Sequence, residues 1–402
     1  MSRRNLYLNR TLSLAVAMTL ILTLQPSPAE AHGSFIPSQT HVQSGSLSMP
    51  APTNSWDGIS NVYNLDSVIP PDVNGDVGPD HYVQVVNNLY SIWNKVGVNL
   101  FPYGPHQITE PFTGYGGLCE SDPGNGGMVL YDHMADRWVL TYPAYGVGQY
   151  LQCVAVSKTP DPVNGGWYQY SFLISTNKVN DHPKLAIWPD GYYIVFNELD
   201  PATQAFKGEG IAAFERQKML QGQSAEYYSV DLKQSFPTSN LHDMLFADLD
   251  GTPPAAGTPA YLAQVNDGST GNDQLEVWQV VSNFGTGAPA QIGQTKFISV
   301  PDFSSSFCSG AVCIPQPGTT QKLNPISAGL MNRLQYRYQG GESYLVVDQT
   351  VNVGSNQAGI RWYQLESGDF NNWSLADSGT YAPDSNNRWN GSAAMDASGN
   401  IA

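Results

Sequence analysis

The sequence predicts an all-β chain folded as a β-propeller of antiparallel four-stranded blades, five or six of them visible. Three observations predict it. Short alternating runs rich in Tyr, Val, Trp and Ile, bounded by Gly, Pro, Asn and Asp, follow one another from residue 67 to the end, the pattern of many antiparallel strands. One unit, a strand, a tight turn carrying Asp and a second strand, recurs at intervals of about 50 to 80 residues, the period of radially arranged sheets. Only 13% of the 402 residues are charged against 41% apolar, enough for a large core but too few Lys, Glu and Arg to load helix surfaces. A helical bundle or coiled coil is excluded.

Taken in order, the chain opens on a targeting segment, residues 1–31. Arg3, Arg4 and Arg10 precede the apolar run Leu12 to Leu24, and Ala29-Glu30-Ala31 then supplies the small residues that a signal peptidase reads. Cleavage is expected before His32. The run falls short of the roughly 20 residues that span a bilayer, so the protein is expected to be secreted, extracellular or associated with the cell surface, without membrane insertion. His32-Gly33 would present an amine and an imidazole at the new terminus, the chelate of copper-dependent polysaccharide monooxygenases. His41, His81 or His106 would have to complete it, the rest of the chain does not resemble those enzymes, and the terminal His is read as incidental. Residues 32–66, rich in Ser, Pro, Gln and Asn without periodicity, read as a flexible leader, and 67–402 as the propeller domain.

Within 67–402 the unit is clearest at Val129 to Leu140, Lys184 to Val195 and Ala393 to Ala402; Leu245 to Gln264 and Leu330 to Asp348 are looser copies, and a first runs through Val83 to Lys95. Runs such as Cys153 to Ser157, Tyr168 to Leu173 and Gly210 to Phe214 fill outer strand positions. Ala213 to Leu220 is the one short helical candidate. A β-sandwich with long insertions is the competing architecture, since strand count alone does not prove radial closure. The sequence stops at Asn400-Ile401-Ala402, inside the second strand of a unit, and further strands beyond residue 402 are expected to close the ring.

Pro70 to Asn87, the Tyr131-Asp132 to Arg137-Trp138 unit, His182 to Tyr193 and Arg388 to Asn400 resemble the recurring blocks of a family of large secreted bacterial proteins, mostly uncharacterised. The resemblance covers most of the chain from residue 68. It implies an exported, propeller-like domain continuing past residue 402, and brings no catalytic residues with it.

The four cysteines, Cys119, Cys153, Cys308 and Cys313, lie in the exported part, where an even count favours two disulfides. Cys308 and Cys313 are close enough for a local clip, which leaves Cys119 with Cys153. No Cys-x-x-Cys or neighbouring His pair supports zinc. Asp72-Val-Asn-Gly-Asp-Val-Gly-Pro-Asp80 places oxygen side chains of Asp72, Asn74, Asp76 and Asp80 at alternating positions, as in the calcium loops of integrin-type blades. Val77 stands where such loops carry Gly, Val83 occupies the position of an EF-hand glutamate, and a solvated turn capped by Pro79 is the plainer reading. Calcium is the one cofactor the sequence suggests.

The first strand of each blade lines a propeller's axis, and the loops that enter it make the usual ligand site. Polar residues stand at nearly every entry: Asp122, Asp181-His182, His242-Asp243, Asn324 and Arg388. Asp122, Asp181, His182, Asp243 and Arg388 are the candidates for general acid, general base and a cation facing a carboxylate, although entry loops are also polar because they are surface turns. Trp138, Trp188 and Trp278 follow strand periodicity and should pack between blades. Trp362, Trp373 and Trp389, flanked by Asn, Arg and Gly, are candidate exposed platforms for sugar rings.

A net charge of −16, without a basic stripe, excludes nucleic-acid binding. No Gly-x-Ser-x-Gly, phosphate loop, dinucleotide fingerprint or His-Glu-x-x-His occurs, so Ser-nucleophile and zincin hydrolysis find no support. The expected function is binding of an extracellular glycan, such as a cell-surface polysaccharide, or a surface partner by a monomer. A glycoside hydrolase or polysaccharide lyase acting at the axis is the enzyme alternative, and an adhesion or assembly module of a larger surface protein the third.

Overall fold

The computed structural model describes residues 54–63, 70–101, 104–268, 273–310 and 312–402. The targeting segment, His32 and His41 lie outside the described residues. Within them the chain is all-β, and the sheets are built from consecutive antiparallel strands. Blade one holds β1 (Asn74–Val77), β2 (His81–Val86), β3 (Leu89–Asn94) and β4 (His106–Gln107), and blade two β5 (Met128–Asp132), β6 (Arg137–Gly146), β7 (Gln149–Ser157) and β8 (Trp167–Ser175). Blade three holds β9 (Val179–Ile187), β10 (Gly191–Leu199), β11 (Phe206–Glu215) and β12 (Tyr227–Asp231). Blade four holds β13 (Leu245–Gly251), β14 (Ala260–Asn266), β15 (Gln274–Val281) and β16 (Gln291–Ser299), and blade five β17 (Leu330–Gln339), β18 (Glu342–Asn352), β19 (Ala358–Ser367) and β20 (Ser374–Tyr381).

The first strands of successive blades lie against one another, and β13 and β17 pair in parallel from Ala247↔Leu334 to Gly251↔Tyr338. This is the arrangement of a β-propeller, with first strands innermost. After blade five, Met395 and Ile401 form an isolated antiparallel bridge, and Met395 exchanges hydrogen bonds with the side chain of Gln335 on β17.

Burial follows position in the blade. Inner and middle strands have neighbours on both faces, so β13 and β14 are buried over nearly their whole length, whereas β20, at an outer edge, is mostly exposed and carries Ser, Asp, Gly and Thr. Large aromatics fill the wedges between blades. Trp188 is 1% exposed, meets Tyr336 edge-on at 4.7 Å and donates from Nε1 to Thr258 O at 3.0 Å; Trp138 and Trp278 are likewise buried. Cys119–Cys153 and Cys308–Cys313 are both disulfide-bonded, with Cα separations of 5.7 and 6.1 Å.

Three sequence expectations shift. The Val83 to Lys95 unit is the β2–β3 hairpin, the second and third strands of blade one; the inner strand lies earlier, inside the Asp72–Asp80 block. The helical candidate at Ala213 to Leu220 holds only in its second half: α2 (Arg216–Met219) makes one turn, while Ala213 to Glu215 end β11, because Ala212, Ala213 and Phe214 pair with β10 and β12. Part of the expected leader is anchored: Ile59 N donates to Gln84 Oε1 at 2.8 Å, and Trp56 meets Tyr82 edge-on at 6.3 Å.

Candidate functional site

The inner strands begin at one face, and a cavity of about 540 Å³ opens there on the axis. Every blade contributes to its wall. Asp72 and Asn74 come from blade one, Gly126 to Met128 from blade two, His182, Lys184, Asn197 and Glu209 from blade three, Asp243 to Leu245 from blade four and Gly329 to Asn332 from blade five, with Asn390 and Gly391 beyond.

A common local device aims these residues. Asp72, Gly126 and Asp243 each stand two residues before an inner strand, with φ of 43°, 82° and 48°. His182, at φ 53°, occupies the matching place in blade three, where a bulge interrupts the pairing of β9 with β10 between Asp181↔Asn197 and Lys184↔Val195. A left-handed residue turns the chain sharply into the strand. In blades one, three and four it carries a polar side chain to the mouth of the axis.

Blade three supplies most of the chemistry. Asn197 pairs across strands with both Asp181 and Glu209, so the three form one row on one face of the sheet. Glu209 is 2% exposed. Met244 N donates to both its carboxyl oxygens at 3.2 Å. Burial, and then the negative charge of Asp243, push the Glu209 carboxyl up to about 8 despite those hydrogen bonds. The Asp243 side chain is 49% exposed and stands 3.4 Å from His242 Nδ1. His182 Nδ1 faces Asp72 Oδ2 at 3.5 Å. Burial raises the Asp181 carboxyl, with His182 opposing and Asp72 adding to the shift. Lys184 is pulled down by burial, against the attraction of Asp72 and Asp181.

Deeper on the axis lies a buried charge cluster. Asp248 accepts from Ile187 N and from Arg333 Nη1, both at 2.8 Å, and Arg333 Nη2 lies 3.5 Å from Asp76 Oδ2. Four blades meet through these groups.

The axis thus gathers His182 and Asp243, with Asp181 in the adjoining row, and leaves out two expected members. Asp122 caps α1 (Leu118–Ser121), is exposed and accepts from Ser121 Oγ; the left-handed residue of that entry is Gly126. Arg388 pairs with Asp384 at 2.7 Å and lies 5.3 Å over the Tyr381 ring, while Asn390 two residues on reaches the cavity. Asn324 is exposed and outside the lining of the cavity, accepting from Ile326 N.

The aromatic platforms change too. Trp373 is 1% exposed, packed against Tyr261 at 4.9 Å, so it belongs to the core and offers no exposed face. Trp362 is half-buried on β19, and Trp389 packs beside the Cys308–Cys313 clip. The Asp72–Asp80 block is a strand and turn: Asn74 Oδ1 accepts from Val129 N at 2.7 Å and Asp76 Oδ2 from Tyr131 N at 2.8 Å, tying β1 to β5, and Asp80 lies in the turn after β1. Among the described residues no group of three or more His, Cys, Asp or Glu is placed to hold a metal ion, and no helix is long and apolar enough to cross a membrane.

Fold and site together define a propeller with a polar funnel at the mouth of its axis. No protein family and no curated relative matches the chain in sequence. Among solved structures it is similar to a thermostable family-43 glycoside hydrolase (11% identity, 80% of this chain and 96% of that one, TM-score 0.35). Others are a xylan β-1,4-xylosidase from Bacillus halodurans C-125 (12%, 77% and 55%, TM-score 0.34) and an α-L-arabinanase from Cellvibrio cellulosa (11%, 76% and 94%, TM-score 0.30). The chain spans about half the length of the xylosidase. The chemistry of the funnel rests on this chain's own residues.

Proposed function

We propose that the axial funnel takes a saccharide and that the protein is an exported glycoside hydrolase, with Glu209 as proton donor and Asp243 as the partner carboxylate. One observation carries the reading: two carboxyl groups share the funnel in opposite environments, Glu209 buried and raised to about 8, Asp243 open to the cavity. Environments that push paired carboxyls apart assign the acid and the base. Because Glu209 accepts from Met244 N, the peptide nitrogen joined to Asp243, the two carboxyls stand no more than about 8 Å apart, within the range in which paired carboxyls cleave glycosides. Glu209 gives its proton to the glycosidic oxygen as the bond to the anomeric carbon breaks. Asp243 takes a proton from the attacking water, whose remaining hydroxyl joins that carbon, and exchange with solvent resets both groups. The expected targeting segment and the two disulfides support export.

A second reading, binding without cleavage, draws on the same carboxylate: the backbone N–H of Met244 donates to both oxygens of Glu209, which gives it a part in holding the Asp243–Met244 turn. Release of reducing ends from a panel of neutral and acidic polysaccharides decides. Glu209→Gln and Asp243→Asn should each lower turnover by about 10²–10⁴ with the melting temperature kept. Binding of a polysaccharide without product from any member of the panel refutes hydrolysis and leaves the binder.

A further inference from the structure

Lys184 is the one cation of blade three that lines the cavity. It is half-buried, and among the described residues its ammonium forms no hydrogen bond and no ion pair, no carboxylate oxygen lying within 4.0 Å. Its Nζ keeps contact with the solvent of the cavity, so three N–H donors there are met by water alone and stand ready for an acceptor that enters. Asp72 and Asp181 act on the charge through space without touching it, and Asp72 is already faced by His182. The ammonium is therefore held beside two carboxylates with its own donors unused. Its place on the sheet is equally telling. Lys184 pairs with Val195, two residues along β10 from Asn197, which stands beside Glu209; the side chain of Asn197 is also without a hydrogen-bond partner among the described residues and faces the cavity.

We propose that the saccharide taken by this funnel carries a carboxylate, a uronic acid, and that Lys184 seats it. The inference rests on reading the funnel as a saccharide site. A compact ammonium is a point charge that satisfies a single carboxylate, and an ion pair made in a half-buried wall is stronger than one in water. The seat adjoins the carboxyl pair, so a uronate held there presents the bond to its neighbouring sugar toward Glu209 and Asp243. The net charge of −16 opposes the approach of a polyanion. That field is screened beyond about 8 Å at physiological salt, so it slows association and leaves the contact at Lys184 to decide affinity.

Calorimetric titration of the whole chain with tri-galacturonate and tri-glucuronate oligosaccharides, each against its methyl ester, tests the seat. At least one acid should bind tenfold or more tighter than its ester. Lys184→Met should erase that preference, and Lys184→Arg should keep most of it, melting curves confirming that both variants fold. Equal affinity for acid and ester, preference for the ester or for glucosamine oligomers, or no binding of either acid overturns the proposal. The two readings fail separately: tight binding of an acid that is never cleaved removes hydrolysis and leaves the seat, whereas cleavage of neutral oligosaccharides without acid preference removes the seat alone.

Discussion

Removing the guanidinium of Arg333 tests whether charge holds the blades together at the axis. Arg333→Leu leaves Asp248 buried, 3% exposed, with only Ile187 N donating to it, and leaves Asp76 and Asp250 close by. Stripping one partner from a buried pair costs about 3–5 kcal/mol. For the body Thr53–Ala402, an unfolding entropy of about 2.1 cal/mol/K per residue converts that loss into a drop of roughly 4–7 °C in melting temperature. The pH dependence identifies the cause. Burial raises Asp248 to about 7 from 3.8, with Arg333 the chief opposing influence. The folded chain therefore keeps a proton there that the unfolded chain has released, and this group's contribution to stability falls as pH rises from 3.8 through about 7, then levels. Without Arg333 the carboxyl titrates higher, so the variant goes on losing stability above pH 7. Differential scanning calorimetry should find a small deficit near pH 4.5 and the full deficit near pH 8.5, largely restored in the double variant Arg333→Leu/Asp248→Leu. An equal deficit at both pH values, or none, would refute the reasoning.

Reduction of the disulfides should destabilise with the logarithm of the loop closed: Cys119–Cys153, with a separation of 34, by about 4 kcal/mol and Cys308–Cys313, with a separation of 5, by about 2, measured by denaturant titration of the paired Ser variants. Trp188→Ala opens a cavity between Tyr261 and Tyr336 and removes the bond to Thr258 O; a loss of about 3–5 kcal/mol is expected, against less than about 1 kcal/mol for an exposed side chain such as Val147. Turnover should fall on the alkaline side with a midpoint near 8, since Glu209 must hold its proton to act; a rate profile flat from pH 6 to 9 would assign the proton to another group.

The hairpins of blades two, three and five were legible because each joins its first two strands across a short turn, as at Leu185-Ala-Ile-Trp-Pro-Asp-Gly-Tyr-Tyr193, while in blade four the longer loop 252–259 left only the apolar strands to mark it. Blade one was misphased because its inner strand, Asn-Gly-Asp-Val, carries no apolar run: Asn74 and Asp76 bond to the backbone of blade two in place of packing. Trp373 misled for a related reason, since Asn371 and Asn372 precede it in a surface turn while its ring folds inward onto Tyr261. Glu209 and Lys184 escaped notice altogether. Phe206-Lys-Gly-Glu-Gly-Ile211 reads as the start of an outer strand, and only the pairing of Glu209 with Asn197, together with the approach of the Asp243 turn from blade four, draws that carboxyl to the axis.

The entry residues show what would have found the site: a polar residue or Gly two places before the inner strands of blades one, two and four, as in Asp72-Val-Asn74, Gly126-Gly-Met128 and Asp243-Met-Leu245. Glycine alone adopts that backbone without penalty, and at Gly126 the fold uses it. At Asp243 it keeps a side chain in a left-handed conformation, with Gly329 approaching so closely that a methyl group there would strike Asp243 Cβ. Strain retained at the mouth of a cavity is the mark of a residue kept for its side chain. Asp243→Gly should therefore leave the melting temperature unchanged or raise it, by the equivalent of up to about 1 kcal/mol, while Asp243→Val, β-branched and intolerant of positive φ, should lower it. Both should lose turnover. A glycine variant clearly less stable than the wild type would mean that the carboxylate itself braces the fold, and Asp243 would then leave the list of candidates for chemistry.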